Sequence, residues 1–195
     1  MSYPLAIFRS NRGLFIFGLL MAAASFATVT YGIVAPCPAA SQNAVGEKGK
    51  SVAASGQLFG GGTFSTTKWK GKVIVVDFWA TWCPYCRTEE PSLEQIYSKY
   101  HHKGLEIIGV PIQSTAIALR SYLRKHPKAL WPQIFDTIPG GNAILANRFG
   151  VSAFPAQFIL DRHGKVAFSM VGSDPTKLKA QMRKLAADVR RLLNK

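Results

Sequence analysis

The chain has 195 residues, and its 24 Lys and Arg residues outnumber its 10 Asp and Glu residues, which gives a formal net charge of +14. Apolar residues make up 48% of the sequence and charged residues 17%, a balance that supplies a hydrophobic core and argues against a disordered chain. The sequence shows neither the glycine period of collagen nor the repeated long apolar segments of a multi-pass membrane protein. Three cysteines are too few for a disulfide-stapled scaffold, so reactive cysteine chemistry is the better hypothesis.

The N-terminal segment is predicted to direct the chain to a membrane. Residues 13–35 contain no charged side chain and would span roughly 34 Å as a helix, at about 1.5 Å per residue. Arg9 and Arg12 precede this stretch and the first acid is Glu47, so the positive-inside rule keeps the N-terminus in the cytoplasm and the rest of the chain outside it. A signal anchor and a cleaved signal peptide both fit residues 1–35. We favour the anchor because apolar residues continue almost to the end of the stretch.

Residues 36–55 are predicted to form a linker, because they are rich in Ala, Gly, Ser and Lys and lack apolar periodicity. Cys37 lies in this linker. The preceding Pro36 stands where a bacterial lipoprotein signal has a small residue, so Cys37 is interpreted as a lone unreactive thiol. The folded domain is expected to cover residues 56–195.

Short apolar strands alternate with helical segments along this domain. The glycines at 60–62 are interpreted as a hairpin turn, because no Gly-Lys-Ser/Thr follows as a phosphate-binding loop requires. The predicted strands are 72–79, 105–110, 157–160 and 165–171, with a short extended piece at 131–135. The predicted helices are 83–100, 115–126, 142–149 and 174–193, the last with Asp174 as its N-cap. This alternation predicts an α/β fold with a central mixed sheet flanked by helices.

Cys83 and Cys86 are three residues apart at the predicted start of a helix, a spacing at which two thiols can close a disulfide. At a helix N-terminus, free N–H groups and the helix dipole favour a thiolate and lower a thiol pKa from about 8.5 to roughly 3.5–7.5. Cys83 is therefore the candidate nucleophile and Cys86 the resolving thiol, while Pro84 fits the first helical turn. Half of a zinc site and an inert structural disulfide are the alternatives. The adjacent His101 and His102 are poorly spaced as further zinc ligands, so no metal is expected.

The sequence from Val75 to Cys86, VVDFWATWCPYC, resembles the active-site region of the thioredoxin superfamily. Residues 71–110 and 149–171 resemble more narrowly the TlpA-like branch of that superfamily. Members of this branch are membrane-anchored, extracytoplasmic disulfide reductases, and they include those of cytochrome c maturation. The resemblance implies a thioredoxin-like fold and a location on the periplasmic side of the bacterial inner membrane.

The resemblance also implies roles for further residues. Asp77, six residues before Cys83, matches the buried acid that accepts the proton of the second cysteine, although many TlpA-like proteins have Asn there. Glu89 matches an acid found near the disulfide in several TlpA-like reductases. Phe154 and Pro155 match the pair with the cis-proline that faces the disulfide, where the backbone pairs with an extended substrate segment. The residues that this resemblance places at the substrate are Trp82, Pro84, Tyr85, Phe154 and Pro155.

Each of these positions also has a purely structural interpretation. Asp77 can be a turn residue at a strand end, and Pro155 can be an ordinary trans proline. Glu89 can be a solvated helix acid, as its neighbour Glu90 is expected to be. Trp82 can serve packing alone.

Thiol chemistry gives the expected mechanism. The Cys83 thiolate attacks a substrate disulfide, and Cys86, deprotonated with help from Asp77 or Glu89, resolves the mixed disulfide. The Cys83–Cys86 disulfide is the expected redox centre, with no other cofactor. A reductase outside the cytosol needs electrons, so the expected partners are a disulfide-containing protein and a membrane thiol electron donor.

The high positive charge alone would allow nucleic-acid binding. Lys and Arg are spread thinly, however, and their densest run, 177–195, lies on one amphipathic helix, so an anionic membrane or an acidic partner is expected instead of nucleic acid. The expected function is therefore extracytoplasmic disulfide reduction, with c-type cytochrome maturation as the process implied by the resemblance. The alternatives are a disulfide oxidase or isomerase, and a non-catalytic binding module or chaperone on the same fold.

Overall fold

In the computed structural model of the protein, the residues described are 48–129, 131–135 and 144–195. All of them belong to one of two units of the chain, Ala39–Lys195. The predicted anchor or signal peptide at residues 1–35, Cys37 and the linker as far as residue 47 lie outside the described residues. Within the described ranges, no helix combines the length and the apolar character that a membrane span requires.

The centre of the domain is a mixed sheet whose strands alternate with helices along the chain. The strands are β1 (Ser55–Gln57), β2 (Thr63–Ser65), β3 (Val73–Trp79), β4 (Leu105–Pro111), β5 (Ala156–Leu160) and β6 (Val166–Val171). The helices are α1 (Pro84–Tyr100), α2 (Ala116–Lys125), α3 (Ile144–Phe149) and α4 (Leu178–Leu193). The central sheet has the order β4-β3-β5-β6, with β3 parallel to β4 and antiparallel to β5, while β1 and β2 form a separate two-stranded antiparallel sheet. This confirms the predicted α/β architecture.

The side chains of β3 alternate between two cores. The even-numbered residues of β3 pack in a core with α3 and β5, whereas Val73 and Val75 pack in a second core with α1 and α4. Every residue of β3 is buried, as expected of a central strand covered on both faces. Asp77 continues the odd-numbered series, so its side chain lies on the α1 side of the sheet.

The last helix begins later than predicted. α4 starts at Leu178, and Lys177 before it provides no side-chain cap. Asp174 instead closes a local turn, in which its Oδ1 accepts the backbone N–H of Thr176 at 2.9 Å and the hydroxyl of Thr176 at 2.6 Å. An aspartate that bonds the backbone two residues on forms a turn of its own, and the helix follows that turn.

Ordered packing begins before residue 56. Gly49 donates its N–H to the carbonyl of Val166 at 2.7 Å, and Ser51 forms an antiparallel bridge with Lys165. Val52 and Ala54 are both buried. Two apolar residues separated by one position are too short a pattern to predict a strand, so this packing has little signal in the sequence.

Gly109 of β4 leaves space that the side chain of Gln133 fills. Residues 131–135, predicted as an extended piece, meet β4 here through a parallel bridge between Gly109 and Gln133. Gln133 accepts the indole N–H of Trp79 at 3.0 Å and donates to the carbonyl of Trp131 at 3.3 Å. A Cβ atom added at Gly109 would lie 2.6 Å from Gln133 Cδ, closer than packed atoms approach. A side chain at position 109 would therefore displace the buried and hydrogen-bonded amide of Gln133.

We expect Gly109→Ala to lower the free energy of unfolding by about 1–3 kcal/mol, because the new methyl group would overlap the Gln133 amide. Urea denaturation followed by circular dichroism measures the loss. In a chain that already carries Gln133→Ala, the amide is absent and the same substitution at Gly109 should cost less. Equal losses in the two backgrounds would contradict the packing explanation.

Candidate active site

The two cysteines of the Cys83–Cys86 segment lie at the N-terminus of α1 and are joined by a disulfide, with their Cα atoms 5.4 Å apart. Cys83 is the N-cap residue in extended conformation, and its Sγ accepts the backbone N–H of Cys86 at 3.1 Å. Pro84 takes the first helical position, where a backbone N–H has no partner in the helix. The start of α1 therefore directs an N–H group and the positive end of the helix dipole at the Cys83 sulfur.

Exposed apolar side chains surround this disulfide, although both cysteines are buried. Trp82 is 55% exposed and Tyr85 is 45% exposed, and Pro84 between the cysteines is also exposed. Trp82 donates its indole N–H to the backbone carbonyl of Gln113 at 3.2 Å. Its ring also meets Phe154 edge-on, with the ring centroids 6.4 Å apart. These contacts fix Trp82 in place. Trp82, Pro84 and Tyr85 together form an apolar rim beside the disulfide.

The Phe154–Pro155 peptide bond is cis, as the resemblance implied. Phe154 packs against the cluster that contains both cysteines. Pro155 is buried, and its carbonyl accepts the N–H of Gly172 at 2.8 Å. The structure thus brings the aromatic residues Trp82 and Phe154 together beside the disulfide, while their contact with a substrate stays a prediction.

Two carboxyl groups lie in the interior near the disulfide and are joined by one glutamine. The Nε2 atom of Gln157 donates to Asp77 Oδ1 at 2.9 Å and to Glu89 Oε2 at 2.8 Å. Asp77 comes from β3, Gln157 is its register partner on β5, and Glu89 comes from α1, three residues after Cys86. Asp77 is 5% exposed, and Glu89 and Gln157 are fully buried. The structure therefore brings the two predicted acids together.

Burial dominates the electrostatics of this pair. It raises the pKa of Asp77 to about 7, a rise that the Gln157 hydrogen bond opposes and the nearby charges of Glu89 and Glu90 increase. Burial also raises the pKa of Glu89 to about 7, against the effects of the Ser173 hydroxyl and Gln157. The Ser173 hydroxyl has no hydrogen-bond partner among the described residues, so the hydrogen bond that Glu89 accepts comes from Gln157. Acids that change protonation near neutral pH are suited to take a proton from a buried thiol.

A known family covers most of this chain. The family model named Redoxin matches residues 44–187. The chain belongs to the Redoxin family. The thiol-disulfide oxidoreductase ResA of Bacillus thuringiensis (strain Al Hakam) is 34% identical over 103 residues, which are 53% of this chain and 57% of that protein. The chain therefore spans little more than half the length of the curated relatives it matches.

Solved structures agree with this assignment. A Chlorobium tepidum protein described as a thiol:disulfide interchange protein DsbE is 28% identical, with a TM-score of 0.62 over 73% of this chain and 98% of that chain. DsbF of Mycobacterium tuberculosis, solved in mixed oxidized and reduced forms, is 27% identical, with a TM-score of 0.60 over 71% and 94% of the two chains. Together with the family match, these similarities confirm the thioredoxin superfamily, the TlpA-like branch and the thioredoxin-like fold.

Gln157 is the residue of this site that sequence reasoning missed. It stands in a strand whose other four residues, Ala156 and the run 158–160, are all apolar. A polar side chain that is buried inside such a strand needs a hydrogen-bond partner, and this was the available signal. The sequence does not show that both partners would be acids.

The prediction that Glu90 is a solvated helix acid is wrong. Glu90 is only 8% exposed. Its Oε2 accepts the hydroxyl of Tyr122 at 2.6 Å and lies 2.8 Å from Nδ1 of His126. Both partners come from the end of α2, which covers this face of α1. The sequence of α1 alone does not show what packs on it, so it cannot separate the buried acids from the exposed ones.

Metal ligands are not grouped in the described part of the chain, where no three His, Cys, Asp or Glu side chains could hold one ion. The sulfurs of Cys83 and Cys86 are bonded to each other. His101 and His102 lie in a short 3-10 turn after the C-terminal end of α1, whereas the cysteines lie at its N-terminal end. The two histidines therefore do not complete a site with the cysteines.

The stability of the oxidised protein should increase as the pH falls from about 7 to about 4.5. Folding raises the pKa of Asp77 from 3.8 and that of Glu89 from 4.5 to about 7, so the folded state binds more protons than the unfolded state in this window. Each carboxyl then contributes a slope of up to about 1.4 kcal/mol per pH unit, with the higher stability at the lower pH. Urea denaturation at several pH values measures the slope.

The double variant D77N/E89Q is the control for this slope, since neither replacement titrates. Asp174 and Asp188 have lowered pKa values and act only below the window. An undiminished slope in D77N/E89Q would show that the carboxyl pair is not its source.

Gln157→Leu should raise the pH at which Asp77 and Glu89 titrate by about one to two pH units, because a charge-stabilising hydrogen bond to each carboxylate is lost. Carboxyl ¹³C chemical shifts followed by NMR across the pH range measure both midpoints. Gln95→Leu removes an exposed glutamine of α1 and serves as the matched control. Midpoints that stay in place in Gln157→Leu would mean that the bridge does not stabilise the ionised acids.

Proposed function

We propose that this chain is an extracytoplasmic thiol-disulfide oxidoreductase that uses the Cys83–Cys86 dithiol to reduce disulfides in other proteins. The observation that carries the proposal is the cap of α1, where the N–H of Cys86 points at the Cys83 sulfur. A thiolate at that position is stabilised by this N–H group and by the helix dipole. The names of the similar proteins ResA and DsbE support the same class of reaction.

The reaction consists of two exchange steps. In the first, the Cys83 thiolate of the reduced domain attacks a substrate disulfide, one substrate sulfur leaves as a thiolate, and a mixed disulfide forms. In the second, the thiol of Cys86 loses its proton and attacks the Cys83 sulfur, which releases the second substrate thiolate. The substrate gains two electrons, its thiolates take protons from water, and the domain is left with the Cys83–Cys86 disulfide. The dithiol carries both electrons, so the proposed reaction uses no bound cofactor.

The proton of Cys86 is proposed to pass to the Asp77 and Glu89 pair. Both carboxyls have pKa values raised to about 7, so an appreciable fraction is ionised and able to accept a proton at neutral pH. Asp77 has the stronger claim because it lines the same small cavity as Cys86. Glu89 shares the Gln157 donor with Asp77. A proton on one carboxyl therefore favours ionisation of the other, because it removes a neighbouring negative charge and leaves the Gln157 amide to the ionised group.

The apolar rim is proposed to receive the substrate. Trp82, Pro84 and Tyr85 present exposed side chains beside the disulfide, and Phe154 supports the ring of Trp82. A peptide that carries a disulfide would bury apolar surface against these side chains, and it would pair with the backbone next to Pro155. This surface would bind unfolded or extended segments of a substrate protein.

The location and the partners are further parts of the proposal. The uncharged stretch at residues 13–35, with Arg9 and Arg12 before it, supports an anchor in the inner membrane and a periplasmic domain. A membrane protein that passes on thiol electrons would return the domain to its reduced form. The TlpA-like resemblance supports c-type cytochrome maturation as the process that this reductase serves.

Trapping with Cys86→Ser tests the proposal. Without the resolving thiol, the mixed disulfide at Cys83 should accumulate on non-reducing gels, and mass spectrometry then identifies the trapped protein. Cys83→Ala should trap nothing and should reduce insulin no faster than the chemical reductant alone. Cys37→Ala, which removes the remaining cysteine, should leave insulin reduction unchanged. Full activity in Cys83→Ala would overturn the assignment of the nucleophile.

The redox potential of the Cys83–Cys86 pair and the identity of the trapped proteins together test the direction of electron flow. A reductase should have a midpoint potential toward about −270 mV, whereas an oxidase should have one toward about −120 mV. Trapped apocytochrome supports cytochrome maturation. A broad range of trapped secreted proteins, together with a potential near the oxidising end, would show an oxidase or isomerase instead.

A further inference from the structure

A small cavity lies behind the resolving cysteine. Its volume is about 20 Å³, and Cys86, Asp77, Glu90 and Tyr122 are among the residues that line it. This is enough space for one water molecule. The resolving cysteine Cys86, its proposed proton acceptor Asp77 and the carboxyl group of Glu90 therefore face the same small cavity.

Glu90 is held in this position by two side chains from the end of α2. The Tyr122 hydroxyl donates to Glu90 Oε2 at 2.6 Å, and Nδ1 of His126 lies 2.8 Å from the same oxygen. The rings of Tyr122 and His126 are stacked, with centroids 4.0 Å apart and planes within 1° of parallel. The Glu90 side chain is 10% exposed, while that of His126 is 33% exposed. His126 thus connects a buried acid to the protein surface.

We propose that Glu90 is a positioning residue of this site, whose carboxylate, held by Tyr122 and His126, sets the proton occupancy of Asp77 across the shared cavity. The effect on Asp77 is a property of the folded domain. Its consequence for the resolving step of Cys86 rests on the proposed function.

The charges around Asp77 give the sign of the effect. The acids that face it are Glu89 and Glu90 from α1, while β5 contributes the uncharged Gln157. A negative Glu90 disfavours a second negative charge on Asp77, so it keeps a proton on Asp77 to higher pH.

A merely structural role is the competing explanation. The hydrogen bonds of Glu90 also fasten α2 to α1, and removing one partner of a buried hydrogen bond costs stability whatever its effect on chemistry. Loss of stability in a Glu90 variant therefore distinguishes nothing. The titration of Asp77 does distinguish the two roles, because a Glu90 side chain that only fastened α2 to α1 would leave the midpoint of Asp77 unchanged when it is replaced.

The test is the ¹³C NMR titration of the Asp77 carboxyl in the oxidised, full-length protein. In Glu90→Gln, which keeps the shape of the side chain and an oxygen for Tyr122, the midpoint should fall from about 7 by about one pH unit, the effect of one unit charge removed nearby. Glu94→Gln removes a half-buried acid one turn further along α1 and should leave the midpoint unchanged. An Asp77 midpoint that is the same in Glu90→Gln and in the wild type would overturn the proposal.

Glu90→Asp is a second and milder perturbation, because it keeps the negative charge but shortens the side chain that Tyr122 and His126 contact. The midpoint of Asp77 should stay closer to the wild-type value than in Glu90→Gln, since the charge of this side chain is what acts on Asp77. A fall of a full pH unit in Glu90→Asp would contradict the proposal, and it can be measured even where Glu90→Gln is too unstable for a full titration.

A kinetic measurement then separates this inference from the proposed function. The pH profile of the resolving step, in which Cys86 releases the substrate from the mixed disulfide at Cys83, should move to lower pH in Glu90→Gln, along with the Asp77 titration. If no substrate disulfide is ever reduced, the proposed function fails while the NMR result stands. If the NMR midpoints do not move, the inference fails while reduction can remain intact.

Discussion

The burial of acid side chains behind the disulfide is the constraint on which the rest of this site depends. Asp77 and Glu89 come from different elements and meet on the amide of Gln157. That amide satisfies one oxygen of each acid, while Glu89 Oε1 and Gln157 Oε1 have no hydrogen-bond partner among the described residues. Groups placed in this way favour their neutral forms, so the site retains protons at a pH at which surface acids have lost theirs.

These buried acids occupy positions that apolar side chains would otherwise fill. The odd-numbered face of β3 is otherwise a surface for apolar contact with α1 and α4, and Val75 precedes Asp77 on it. Apolar residues of similar size would fill the positions of Asp77, Glu89 and Glu90 without any need for buried partners, and replacements of that kind often stabilise a protein. The stability of the fold therefore does not explain why three buried acids lie around one end of α1, and their placement supports the proposed thiol chemistry.

The sequence predicts the sheet, its strand spans and the cysteine pair because these depend on local patterns. Apolar runs mark β3 and β4, and the spacing of Cys83 and Cys86 requires only the start of one helix. The contacts of Gln157 and Glu90 depend instead on elements that are distant in the sequence. Strand β5 places Gln157 against Asp77 of β3, and α2 covers Glu90 of α1. Such pairings across the fold leave no periodic signal in a single sequence. The late start of α4 has a local cause, the competing turn that Asp174 forms.

The two sulfurs of the disulfide lie in different environments, and this difference supports the proposed roles of Cys83 as nucleophile and Cys86 as resolving thiol. The Cys83 sulfur receives an N–H group at the tip of the helix, where negative charge is favoured. Cys86 lines the cavity that Asp77 and Glu90 also line, where a thiol has a neighbouring base. A nucleophile needs the first environment, because it must be a thiolate before the substrate arrives. A resolving thiol needs the second, because it should lose its proton only after the mixed disulfide has formed. The asymmetry is built into the start of one helix, with its N-cap residue on the donor side and its third helical residue on the acid side.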